Sequence, residues 1–342
     1  MSRPTGRSKG RLRAMQLVLS LLLAIAFVPV SSVEYSLQPP VTVRRGEPGF
    51  AVLSCATHGR PLEALTLLIT YPDGELSPRY VASRPRSINS PKGEVESAGP
   101  SAARFPTNTV VFLFSLPIDT VPGEATMVAF DGDGAPVAGA RFNVLDRQYS
   151  REDLWLDKGL SSLRADPDPR KTEQAERYLR LIGSVDPAAN YLDSGFIRPV
   201  VSERRTSVFG LMRRYLYANG GIDLSMHNGI DYGCPIGTPV VASGAGRVVM
   251  AENRIVTGNT IVLEHLPGAY TIYMHLDSMS VTHGSVVARG ALLGRVGMTG
   301  LATGPHLHWE FRVMGLPCDP EALIGIDKMP TFRRMDGVTE GR

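Results

Sequence analysis

The chain has 342 residues, 43% of them hydrophobic and 20% charged. That balance excludes a disordered chain and suits a globular protein of about two domains. The formal net charge of +3 rests on five cations near the start. Taking those five from +3 leaves −2, which removes support for a nucleic-acid partner.

The five cations are Arg3, Arg7, Lys9, Arg11 and Arg13, and no acid accompanies them. The apolar run Leu17 to Val28 follows, and Val30-Ser31-Ser32 offers small residues for cleavage. This predicts a secretory signal peptide over residues 1–32, too short for a comfortable membrane span. An uncleaved anchor is the alternative. No Cys closely follows the run, which argues against a lipid anchor. The expected location is the periplasm or cell envelope, after export, with no membrane span in the mature chain.

Residues 34–146 read as β-rich. Gly49 to Leu53, Thr109 to Phe114, Ala125 to Phe130 and Ala138 to Val144 are strand-like, and Asp131-Gly132-Asp133-Gly134 is a hairpin signal rather than a calcium loop. Regular strands with Gly, Pro and Asp punctuation predict a small β-sandwich, with an immunoglobulin-like arrangement as one candidate. Ser83 to Ala103 reads as a mobile loop. Residues 147–200 are expected to be a helical connector. Arg151 to Leu154 and Lys171 to Leu179 combine charge with helical spacing of apolar residues, and Asp166-Pro167-Asp168-Pro169 breaks them.

Residues 201–326 alternate short apolar runs with glycines, among them Pro239 to Ala242, Gly246 to Met250, Thr260 to Glu264 and Tyr270 to Met274. An antiparallel sheet with glycine turns is predicted, followed by a tail over 327–342. If His306 to Val313 is a strand, His306 and His308 share a face. On the even spacing of a strand, so do His227 and Asp231. Asn228-Gly229 argues for a turn entering a strand there. His275 ends an alternating run. Two neutral imidazoles and one carboxylate can hold a catalytic zinc with one position left open, and two further histidines can serve as general base and oxyanion donor.

These stretches resemble the lysostaphin/LytM-type zinc endopeptidases of bacterial cell walls. The matching features run in family order. They are Ser207-Val208-Phe209-Gly210, Arg213-Arg214, Asn219-Gly220, His227-Asn228-Gly229-Ile230-Asp231 and Gly237-Thr238-Pro239-Val240. Gly258-Asn259, Tyr273-Met274-His275-Leu276 and Thr303-Gly304-Pro305-His306-Leu307-His308-Trp309-Glu310 complete the series. The resemblance implies His227, Asp231 and His308 as ligands of one Zn2+, and His275 and His306 as catalytic histidines. Trp309 stands where Phe is more usual and Cys234 where Ala is common. The fold expected is mainly β: an antiparallel LytM-type sheet preceded by the sandwich and the connector.

The function the resemblance implies is hydrolysis of peptide cross-links or stem peptides of peptidoglycan, with water on the zinc as nucleophile. A non-catalytic envelope scaffold that binds wall or activates another hydrolase is the alternative, and a secreted peptidase acting on proteins is a third reading. Glu310 shares a face with His308 and is placed to orient it. Arg213 and Arg214 are candidates for a substrate carboxylate or for plain solvent-facing charge. His265 reads as a structural hydrogen-bonder, and His58 and His283 as turn residues. Cys55, Cys234 and Cys318 are odd in number, so at most one pair forms within the chain, with Cys234–Cys318 as the candidate.

Overall fold

The computed structural model describes residues 35–55, 62, 64–83, 109–192 and 194–324. The expected signal peptide, nearly all of the Ser83 to Ala103 loop, His58 and the tail over 327–342 lie outside them. The first eight strands are β1 (Tyr35–Gln38), β2 (Thr42–Arg44), β3 (Pro48–Cys55), β4 (Thr66–Thr70), β5 (Tyr80–Val81), β6 (Thr109–Ser115), β7 (Gly123–Phe130) and β8 (Pro136–Leu145). They form two sheets, ordered β1-β3-β6 and β2-β8-β7-β4-β5. The hairpin between β7 and β8 turns where expected. Asp131 Oδ1 accepts from the N–H groups of Asp133 and Ala135, which closes the turn locally.

Ala51, Leu53, Phe112 and Phe114 of the first sheet pack with Leu67, Ile69, Met127 and Phe142 of the second. The result is two β layers over one core. The same core takes in Leu266, Ala269, Phe311 and Val313, which belong to the histidine-bearing sheet described next. Shared apolar burial therefore ties the two parts of the chain together.

The next elements are β9 (Arg151–Trp155), α1 (Lys158–Ala165) and α2 (Pro169–Ile182). Asp168 caps α2 by accepting from Arg170 N–H, with Pro169 in the first turn. Arg151 to Leu154 was expected to be helical and lies in the strand Arg151–Trp155. It runs parallel to β11 (Met212–Leu216), which also pairs with β12 (Ile222–Met226). The register sets Glu152 beside Arg213 and Asp153 beside Arg214, and both pairs are ion pairs. Cross-strand charge complementarity with a distant segment thus outweighs the local helical pattern.

The remaining strands are β10 (Arg205–Ser207), β13 (Ile230–Gly233), β14 (Pro239–Val241), β15 (Gly246–Arg254), β16 (Gly258–Leu266), β17 (Ala269–Met279), β18 (Val286–Val287), β19 (Leu292–Val296), β20 (His306–Val313) and β21 (Leu316–Cys318). They form one antiparallel sheet with the central order β10-β13-β20-β17-β16-β15-β18. Among the described residues, no helix is long and apolar enough to cross a membrane. Cys234 and Cys318 are buried free thiols, so the bridge considered for them is not formed. They sit in different apolar clusters, Cys318 with the N-terminal layers and Cys234 with Tyr232 and Leu307.

Candidate active site

Strand register assembles the site. β20 lies between β13 and β17, with Asp231 opposite His308 on one side and Met274 opposite His308 on the other. Residues directly opposite share a face. His227 precedes β13 in the turn after β12. There Gly229 lies so close to β20 that a Cβ on it would come within 2.3 Å of Trp309 O. Any larger residue would push the turn away from the strand that carries His308.

The proton positions follow from the fixed partners. His227 Nδ1 donates to Val208 O at 2.9 Å, which leaves Nε2 as a lone pair. His308 Nε2 donates to Glu310 Oε1 at 3.0 Å, which leaves Nδ1 as a lone pair. These two nitrogens are 3.0 Å apart. Asp231 Oδ1 lies 3.0 Å from the first and 2.8 Å from the second. With both rings neutral, three buried lone-pair atoms converge, which is repulsive unless a proton on His308 Nδ1 or a metal cation sits among them. A tetrahedral ion with bonds of about 2.0–2.1 Å would hold its ligands roughly 3.4 Å apart. The spacing found fits that with a small outward adjustment.

The electrostatics say the same. Burial opposes a charge on His308, but hydrogen bonds to Asp231 and Glu310 outweigh it and raise its pKa to about 9. Burial would likewise raise the Asp231 carboxyl, yet His227 and His308 hold it well below the usual range. The pocket demands positive charge. The second Asp231 oxygen accepts from Arg213 Nη2 at 2.7 Å, and Arg213 Nε donates to Glu152 at 2.8 Å. Arg213 is thus anchored in the protein rather than free for a substrate. Arg214 forms an exposed pair with Asp153.

His275 and His306 stand beside this cluster. His275 Nδ1 donates to Thr299 O at 2.7 Å and His306 Nδ1 to Gly304 O at 2.8 Å. Both Nε2 atoms are left as proton acceptors, and the ring centroids are 4.8 Å apart. His306 Nε2 is 3.7 Å from Asp231 Oδ1. Burial, reinforced by His306 and His308, lowers the His275 pKa to about 3, which keeps it neutral. Asp231, His275, His306 and His308 line a cleft of about 310 Å³ together with Glu152 and Arg204.

All five site residues expected from the sequence are therefore brought together. Glu310 holds His308, as its spacing implied, and is itself held by Arg312 Nε at 2.7 Å and by Tyr178 OH at 3.1 Å. His265 is fully buried, with Nδ1 donating to Ala245 O, and His283 is exposed. The roles of Arg213, Tyr178 and Thr299 in fixing the site were missed. They act through long-range contacts that leave no local spacing signal.

Residues 225–320 match the model of Peptidase family M23. The peptidoglycan DD-endopeptidase ShyA of Vibrio cholerae is 38% identical over 182 residues, covering 52% of this chain and 41% of that protein. The DD-carboxypeptidase/endopeptidase Mpg of Neisseria meningitidis serogroup B is 40% identical over 125 residues, covering 36% of this chain and 28% of that protein. The matched stretch thus spans less than half the length of these curated relatives. A crystal structure described as a peptidase M23 from Pseudomonas aeruginosa is 23% identical with a TM-score of 0.50. It covers 81% of this chain and 93% of that one, a likeness of fold.

Proposed function

We propose that the chain is a zinc-dependent endopeptidase that hydrolyses peptide bonds in the cross-links or stem peptides of bacterial peptidoglycan. The observation that carries this is the convergence of His227 Nε2, Asp231 Oδ1 and His308 Nδ1 beside the imidazoles of His275 and His306. The M23 match and the names of the relatives support the substrate class. Those three residues would hold one zinc. Bound there, zinc acidifies a water and polarises a carbonyl.

This chain's own residues then handle protons and charge. One of His275 and His306 accepts the proton of the attacking water at Nε2 and delivers it to the leaving amine. The other takes a proton from solvent at Nε2 and donates that N–H to the oxyanion. Their Nδ1–H groups are fixed by backbone carbonyls, so both rings are already oriented. Peptidoglycan as substrate sets the place of action in the cell envelope. The scaffold alternative is disfavoured because His227, Asp231, His275, His306 and His308 are all present and lie side by side.

Metal content and muropeptide release by the purified protein, run beside Asp231→Ala, test this reading. About one zinc per chain and products absent from the variant are expected. Neither zinc nor products from the wild type would overturn it.

A further inference from the structure

A second cavity, of about 430 Å³, opens beside the same histidines and is walled by α2. Its lining carries the cations Arg164, Lys171, Arg213, Arg254 and Arg312, and among the described residues Glu310 is its one carboxylate. Three of these cations are already neutralised. Arg164 pairs with Asp223, Arg213 with Asp231 and Glu152, and Arg312 with Glu310. Arg254 is different. It is only 7% exposed, and among the described residues no carboxylate lies within ion-pair distance of it. Its Nη1 donates to Thr257 Oγ1 and its Nη2 to Gln174 O, both neutral acceptors, while Nε has no partner. The acids in its neighbourhood are committed elsewhere, Glu252 to Arg177 and Glu310 to Arg312 and His308. Among the described residues, Lys171 Nζ meets only the Asp166 carbonyl.

A buried guanidinium without a counter-ion is costly, and burial accordingly lowers the Arg254 pKa. Arg254 lines the cavity with the Tyr178 ring centroid 4.6 Å from its guanidinium carbon, and after its bonds to Thr257 and Gln174 each Nη keeps one hydrogen for a carboxylate. Arg254 is also coupled to the site. Thr257, which accepts from it, offers its carbonyl to His275 N–H at 2.9 Å.

We propose that Arg254, assisted by Lys171, is a carboxylate-binding subsite that seats an anionic group of the substrate peptide on the α2 side of the catalytic cleft. This rests on the peptidase reading above and adds to it what the cleft selects. The carboxylate belongs either to the C-terminus of the stem peptide or to an internal acidic residue.

The test is calorimetric binding of N-acetyl-L-Ala-D-Glu-L-Lys-D-Ala to the zinc-loaded full chain. It is repeated with the peptide amidated at its C-terminus, at the D-Glu carboxyl, or at both. Amidating the docked carboxylate should weaken binding to the wild type by about tenfold or more, and the affected position names the source. In Arg254→Gln that penalty should shrink to about twofold or less, with zinc content unchanged. Lys171→Ala, a change at a half-buried position of α2, should reduce the penalty in part and serves if Arg254→Gln fails to fold. An equal penalty in wild type and variants, or no binding of any peptide to the wild type, overturns the subsite. Muropeptide release is followed in parallel. Carboxylate-dependent binding without release would sink the hydrolase reading but not the subsite, and release with no Arg254-dependent penalty would sink the subsite alone.

Discussion

His275 and His308 stand on neighbouring strands with ring centroids 6.2 Å apart, although strand parity sends them to opposite faces. It is Met274 that pairs with His308, so strict alternation would turn His275 away. Residue 275 instead takes φ +61°, rare for a non-glycine residue. The β16–β17 ladder shifts register next to it. The irregularity re-aims the imidazole into the cleft, where Thr299 O and Thr257 O hold the ring and the backbone.

His275→Ala and His306→Ala should each lower turnover by about 10²–10⁴ while keeping about one zinc per chain. His308→Ala should lose zinc and turnover together. Metal analysis beside a muropeptide assay checks the split, and a fully active His275→Ala enzyme would contradict the role given to it.

Gly229→Ala should weaken zinc binding by tenfold or more, at an overpacking cost of about 1–3 kcal/mol. The added methyl would press on the Trp309 carbonyl and move Asp231 relative to His308. Competition with a chelator measures the affinity. An unchanged value would mean that the turn relaxes without moving the ligands.

Glu310→Gln should weaken zinc binding by about 10–100-fold, because Glu310 fixes the tautomer and orientation of His308. Tyr178→Phe should do much less, since Arg312 and His308 still hold the carboxylate. Equal losses in the two variants would argue that α2, and not the carboxylate, orders the site.

Stability should fall in mild acid through His265, which lies away from the metal cluster. Burial lowers its pKa from 6.5 to about 4. Between those values the unfolded chain binds the proton and the folded chain does not. Stability present above pH 6.5 is therefore lost as the pH drops towards 4, by about 3 kcal/mol. Urea unfolding at about pH 7 and pH 4.5 should show a smaller decline for His265→Gln than for the wild type. Parallel declines would remove His265 as the cause.

The sequence by itself determined the parts whose information is local. His306 and His308 share a face because β20 begins at His306, and the Asn228-Gly229 turn leads into β13 as its residues require. The Asp131 hairpin and the break between α1 and α2 are set by Asp, Gly and Pro chemistry. Only the tertiary structure decided what depends on distant partners. Arg151–Trp155 became a strand because Arg213 and Arg214 lie opposite its acids. His275 faces the cleft because a bulge and a left-handed φ override alternation. Cys234 and Cys318 remain apart because they pack in different cores. Arg254 is left without a counter-ion because its acidic neighbours are bound to other cations. Spacing along a chain encodes which face a residue takes, but burial and pairing between segments far apart in sequence are settled only when the sheet closes its register.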